Sequence, residues 1–294
     1  MSINWTIVSG ALDWLWSVAN SNFSTALFGA AGGALGAQWI AVRSERRRQL
    51  LDKCNALNRA IVTAYSVVNT FVVLKKQHVR TMRERYNQQR IDLESHLEKR
   101  RRGELPRDAE FAFIADLESL KLPQVPLAPL EKLLFEKVGI TNRPLVELTT
   151  LGQVLDSLEA MVRQRDTFIQ ETKAKNLPAA EFFPLYFGLP DKNRRIDTSY
   201  PSCVAMIYAY TDDCIFFSYH LALDLVDAAK ALAKTIGKAA PKVPELDFSR
   251  PKTEKLIPDD AQYIDWLNMM QEMPRPSSRI SKLTQKLRRL RPAT

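Results

Sequence analysis

The chain has 294 residues, 46% hydrophobic and 26% charged, with 42 basic against 33 acidic residues. That length holds one large domain or two small ones with a real core, and the composition lies in the ordinary globular range. Only 10 glycines are present, and Gly29, Gly32, Gly33 and Gly36 account for four of them, which excludes a turn-rich β protein. The net charge of +9 is uneven: residues 1–42 hold no Lys or Arg, whereas Arg275, Arg279, Lys282, Lys286, Arg288, Arg289 and Arg291 crowd the end. Such asymmetry points to an anionic surface. Cys54, Cys203 and Cys214 form no CxxC or Cys/His cluster. They read as reduced thiols in a cytosolic setting.

Residues 1–20 carry Trp5, Trp14 and Trp16 and are interrupted by Gly10 and Asp13. They read as an interfacial amphipathic segment on the outer side of a membrane. Residues 21–42 follow without a charge and read as a transmembrane helix: twenty helical residues span about 30 Å, a bilayer's hydrocarbon thickness. Thr25, Gly29, Gly33 and Ala37 make one stripe of small residues, and Gly32 with Gly36 repeats the GxxxG spacing, so a second copy could pack closely there. No phosphate-loop pattern occurs in this stretch. A cleavable signal would carry its charge before the apolar run. Here Arg43, Arg46, Arg47 and Arg48 come after it, which predicts an outer N-terminus and a cytoplasmic bulk in an inner membrane. The strong inserters contribute only about −2 to −4 kcal/mol before the glycine and polar residues are subtracted. The span therefore needs a partner helix.

Residues 43–105 read as one long amphipathic, coiled-coil-like helix, because neither glycine nor proline occurs between Ala37 and Arg102. Leu50, Leu57, Ile61, Val68 and Val72 recur at helical spacing, and Val79, Met82, Tyr86, Leu93 and Leu97 continue at heptad-like steps. Lys75, Lys76, His78, Arg80, Arg83 and Arg85 form a basic face, read as solvated near a positive-inside membrane; without an aromatic platform, nucleic acid is disfavoured.

Residues 106–237 read as a helical core domain. The pattern predicts a short helix near 107–120, a proline connector, a short helix from Pro129 to Gly139, a helix over 144–175, a structured aromatic loop over 176–200 and an apolar central helix over 201–237. On that last helix Asp213, His220, Asp224 and Asp227 share a polar edge. His220 and Asp224, one turn apart, could offer two metal ligands or a base with its orienting carboxylate, although a structural histidine is the commoner outcome. No further ligand group and no cofactor motif is identifiable. Residues 238–275 read as a proline-rich connector with a short helix at 259–271. Residues 276–294 read as a basic amphipathic helix, with Ile280, Leu283, Leu287 and Leu290 on one stripe among Arg279, Lys282, Lys286, Arg288 and Arg289. It is suited to anionic lipid or a protein partner.

The fold expectation is all-α: a single transmembrane helix continuing into a long helix, then a cytoplasmic helical bundle. The functional expectation is a membrane-anchored, self-associating interaction or scaffold protein without catalysis or cofactor, with anionic lipid and an unknown cytoplasmic protein as partners. The alternatives are a membrane-acting effector or sensor, and a metal-dependent or His-based hydrolase on the 201–237 helix.

Overall fold

A computed structural model describes residues 22–106, 108–140 and 143–271. Among them the chain is all-helical, 75% helix and without strands; an isolated bridge between Pro190 and Ile196 is the one β pairing. The predicted segments 1–20 and 276–294 lie outside the described residues.

The first element is a continuous rod: α1 (Asn22–Leu74), a π-helical turn (Lys75–Val79) and α2 (Arg80–Arg101). It ends where Gly103 takes a left-handed φ of 76°. One stretch of this rod, Gly36–Arg101, is long and apolar enough to cross a membrane, with a mean hydropathy of 1.4 over its apolar window. Half of that window is buried inside the protein. The arginine cluster and Asp52 confine the window to the part of α1 beyond them, downstream of the predicted span at 21–42.

Further along come α3 (Leu127–Lys132), which passes through a π-turn (Leu133–Val138) to a left-handed Gly139, α4 (Arg143–Lys175), α5 (Ala179–Phe187) and α6 (Ser199–Ile236). A strap then carries α7 (Ser249–Thr253), a 3-10 turn (Asp260–Tyr263) and α8 (Ile264–Gln271). α6 packs against both α1 and α4. Its apolar residues recur on nearly every side, and Ile207, Cys214, Phe216, Leu221 and Leu225 are wholly buried. Against it α1 places Leu57, Ile61, Ala64, Val68 and Phe71, and α4 places Leu148, Leu151 and Leu158, in one apolar cluster. Each such side chain contributes about 1.5–3 kcal/mol by leaving water. The heptad-like stripe of α2 packs within the chain, Tyr86 lying against Tyr186, Phe187 and Tyr200.

Two expectations are corrected. No helix forms near 107–120: described residues 109–126 run without regular structure. Phe111 and Phe113 alternate with exposed Ala112 and Ile114, a period of two. Side chains satisfy the backbone there: Arg165 donates to the carbonyls of Glu118 (2.6 Å) and Asp116 (3.1 Å), Gln89 to that of Ile114 (2.6 Å), and Tyr200 to that of Asp116 (2.8 Å). The aromatic loop of 176–200 in turn contains a helix, α5, despite its internal Pro184. Its Phe183 and Phe187, one turn apart, both pack on Phe111 and Phe113.

Candidate functional site

The polar edge foreseen on α6 becomes a knot of charged groups. His220 is buried, and its Nδ1 lies 3.0 Å from Nη2 of Arg143, at the start of α4. A guanidinium can only donate, so Nδ1 accepts and the ring proton sits on Nε2. That N–H donates to Asp260 Oδ1 at 3.1 Å, at the first residue of the 3-10 turn. Nε of Arg143 meets Glu147 Oε1 at 2.9 Å and Asp224 Oδ2 at 3.0 Å. One guanidinium therefore serves a carboxyl on its own helix, a carboxylate on α6 and an imidazole on α6.

Burial governs the titration of these groups. Glu147 is 0% exposed, and its Oε2 has no hydrogen-bond partner. Burial, with the nearby Asp224 carboxylate, pushes its pKa up to about 8 against the pull of Arg143. Burial also raises the Asp224 carboxyl. His220 is driven below the ordinary imidazole value by burial and by the Arg143 and Lys252 cations, with Asp260 opposing. Asp213 does not join the knot; it accepts from the Tyr263 hydroxyl at 2.6 Å, and Asp227 is exposed. Tyr263 stacks on Phe216 at 3.8 Å, and Trp266 lies edge-on to Phe217, which seats the strap on α6.

His220 and Asp224 thus occupy one site, and the Arg143 guanidinium bonds to both. Both ring nitrogens of His220 are engaged. Among the described residues no group of three or more His, Cys, Asp or Glu side chains could hold a metal ion. Sequence reasoning missed Arg143, Glu147 and Asp260. The i,i+4 spacing of Arg143 and Glu147 was a visible signal; their meeting with His220 was not, because 77 residues separate Arg143 from it.

The basic face of residues 75–85 is largely an intramolecular clamp. Lys75 is buried, pairs with Asp212, and donates to the carbonyl of Leu256 at 3.1 Å. Lys76 reaches Glu254 at 2.6 Å, and Arg80 donates to the carbonyls of Glu254 and Lys255 at 3.0 Å each. These cations hold the chain just past α7, where carbonyls lack helical partners. Arg83 lies over the Tyr208 ring at 4.0 Å. Beside the clamp is a cleft of about 570 Å³ whose walls include Lys75, Tyr208, Asp212, Lys252 and Gln262.

The remaining candidates lie elsewhere. Thr25, Gly29, Gly32, Gly33, Gly36 and Ala37 all sit on α1, as do Arg43, Arg46, Arg47 and Arg48. A Cβ at Gly33 or Gly36 would meet no atom within 4 Å. Ala37 and the four arginines are exposed, with the Arg43 guanidinium 5.1 Å from the Trp39 ring centre. Arg279, Ile280, Lys282, Leu283, Lys286, Leu287, Arg288, Arg289 and Leu290 lie outside the described residues. Comparison with known family models, with curated proteins and with solved structures returns no match.

Proposed function

We propose that this chain is a membrane-anchored helical interaction protein. Residues 21–42 cross an inner membrane once with the N-terminus outward, and the remainder forms a cytoplasmic helical bundle that acts as a scaffold. The observation that carries this reading is the exposed stretch of α1 that precedes the core. Gly33 and residues 36–49 are exposed, and Trp39, Ile40 and Val42 present apolar surface directly before Arg43. In water, a helix with four glycines in eight positions loses about 1 kcal/mol at each relative to alanine. In lipid the backbone must bond to itself, so a glycine-rich helix persists and gains close packing. The arginines then sit at the cytoplasmic headgroups, and the basic 276–294 segment adds a second contact with anionic lipid.

Self-association through the small-residue face is supported by helical phase. At 100° per residue, exposed Val62 and Val73 fall on the same side of α1 as Gly33, Ala37 and Ile40, opposite the buried Leu57, Ala64 and Val68. A cytoplasmic protein partner would meet the bundle, and the reading needs neither catalysis nor a cofactor. The test is a pair of topology reporters at the two ends, combined with carbonate extraction of membranes. Opposite-side termini and retention in the pellet are expected; same-side termini or full release would overturn the reading.

A second reading, an effector or sensor that perturbs the membrane, is favoured by the π-turn at Lys75–Val79, since such turns interrupt helices at functional sites. Dye leakage from vesicles carrying the full chain, lost with Gly29→Leu and Gly33→Leu, would select it over a passive scaffold.

A further inference from the structure

We propose that His220 is a proton-operated coupler: when Nδ1 takes up a proton, His220 releases Arg143 and frees the first turn of α4, while Nε2 keeps its hold on Asp260 and the strap. The argument rests on donor and acceptor count. Neutral His220 has one lone pair, on Nδ1, and Arg143 uses it at 3.0 Å. A proton placed there leaves two donors facing each other and two positive charges within hydrogen-bond distance, an arrangement no rotation of a guanidinium relieves. On the other side of the ring nothing is lost. The Nε2–H bond to Asp260 becomes charge-assisted and strengthens. One protonation therefore weakens the link between α6 and α4 and tightens the link between α6 and the strap.

The surroundings make the response directional. From α4 the ring faces Arg143, with Glu147 behind it; from α6, Asp224; from the 3-10 turn, Asp260; and from α7, Lys252. Phe216, whose ring centre is 4.4 Å from that of His220, and Tyr219 at 5.2 Å restrict the ring's movement. Arg143 is already bonded to Glu147 and Asp224 through Nε, so it keeps acceptors when His220 lets go. Asp260 is 62% exposed on its side chain, so the strap link is screened by water and draws its persistence from Tyr263 and Trp266 as well. The coupling is independent of whether residues 21–42 span a membrane.

Hydrogen exchange of the full chain in detergent micelles, corrected for intrinsic pH dependence and followed from pH 8 to pH 5, tests this. In Glu147→Gln, where no raised carboxyl opposes it, opening of residues 143–151 is expected to rise with acidification by up to about tenfold per pH unit, the limit for one linked proton. Residues 260–267 should stay at least as protected. Adding His220→Gln, which supplies an amide oxygen for Arg143 and an N–H for Asp260 but does not titrate, should flatten the profile over 143–151. In the unmutated chain the Glu147 carboxyl, raised by burial, favours the closed turn on acidification and offsets this rise. Nitrogen-15 histidine spectra of the unmutated chain give a reading that depends on no variant. They should show Nδ1 unprotonated at pH 8 and protonated on acidification. Equal profiles in Glu147→Gln with and without His220→Gln, or opening of the strap ahead of α4, would overturn the proposal.

Discussion

The two halves of α1 belong to one uninterrupted helix and live in different surroundings. Beyond Cys54, Leu57, Ile61, Val68 and Phe71 are buried against α6 and its neighbours. Upstream, residues 36–49 are exposed, and Trp39, Ile40 and Val42 are among them. The downstream half is apolar on one side and finds its partner inside the chain. The upstream half is rich in small residues before Arg43, and its described side chains at 36–49 are exposed. Over Gly36–Arg101 the most apolar window is half buried, so apolarity by itself does not mark a side chain as facing lipid. What separates the two halves is the angular distribution of apolar side chains and the position of the arginines.

The largest test of this contrast is at the clamp and the core. Lys75→Ala would leave Asp212 without its partner and is expected to cost about 3–5 kcal/mol of unfolding free energy, with Lys75→Met/Asp212→Leu restoring most of it. Ile61→Ala should cost about 2–5 kcal/mol by denaturant titration in detergent, whereas Ile40→Ala should stay within about 0.5 kcal/mol. Equal losses at Ile61 and Ile40 would erase the distinction between the halves. Next in size is a pH effect. Because the Glu147 pKa is raised in the folded state to about 8, the unfolded chain gives up its proton first. Stability from this carboxyl is therefore fully present below the ordinary carboxyl range and is lost as pH rises towards 8. Glu147→Gln removes that decline, so its advantage over wild type should grow between pH 5 and pH 8 in thermal melts.

Smaller still is the expected outcome for the shared outer face of α1. Val62→Cys and Val73→Cys should form intermolecular disulfides in oxidised membranes, Leu57→Cys should not, and Gly33→Leu should reduce the yield. Unchanged yield in Gly33→Leu would separate the cytoplasmic contact from the small-residue face. At the lower end, Tyr263→Phe keeps the stack on Phe216 but removes the hydroxyl bonded to Asp213, for an expected loss of about 1 kcal/mol.

Helices with clean periodicity were legible from the residues alone. α4 begins at Arg143 beside Pro144, and α6 runs Ser199–Ile236 against an expected 201–237. The failures have a common cause. The segment 109–126 has no partner strand, so its backbone bonds come from Arg165, Gln89 and Tyr200, which no local pattern announces. The charged knot was half legible. His220 and Asp224 share a helix edge and could be read from spacing. Arg143 and Asp260 arrive from other elements and turn a possible ligand pair into a paired, tautomer-locked imidazole. The basic face at 75–85 misled for the same reason, since Glu254, Asp212 and the carbonyls of 254–256 are remote in the chain.

The π-turn at Lys75–Val79 has a consequence for the rod as a mechanical part. A π-turn holds about one residue more than an α-helical turn, so everything beyond it is rotated by roughly 100° from where an unbroken helix would put it. Deleting Gln77, which is exposed, would restore plain α-helix and swing Met82, Tyr86 and Leu93 out of their sockets while leaving α1 in place. The turn thus sets the phase of the rod: its extra residue decides which face of α2 meets α5 and α6.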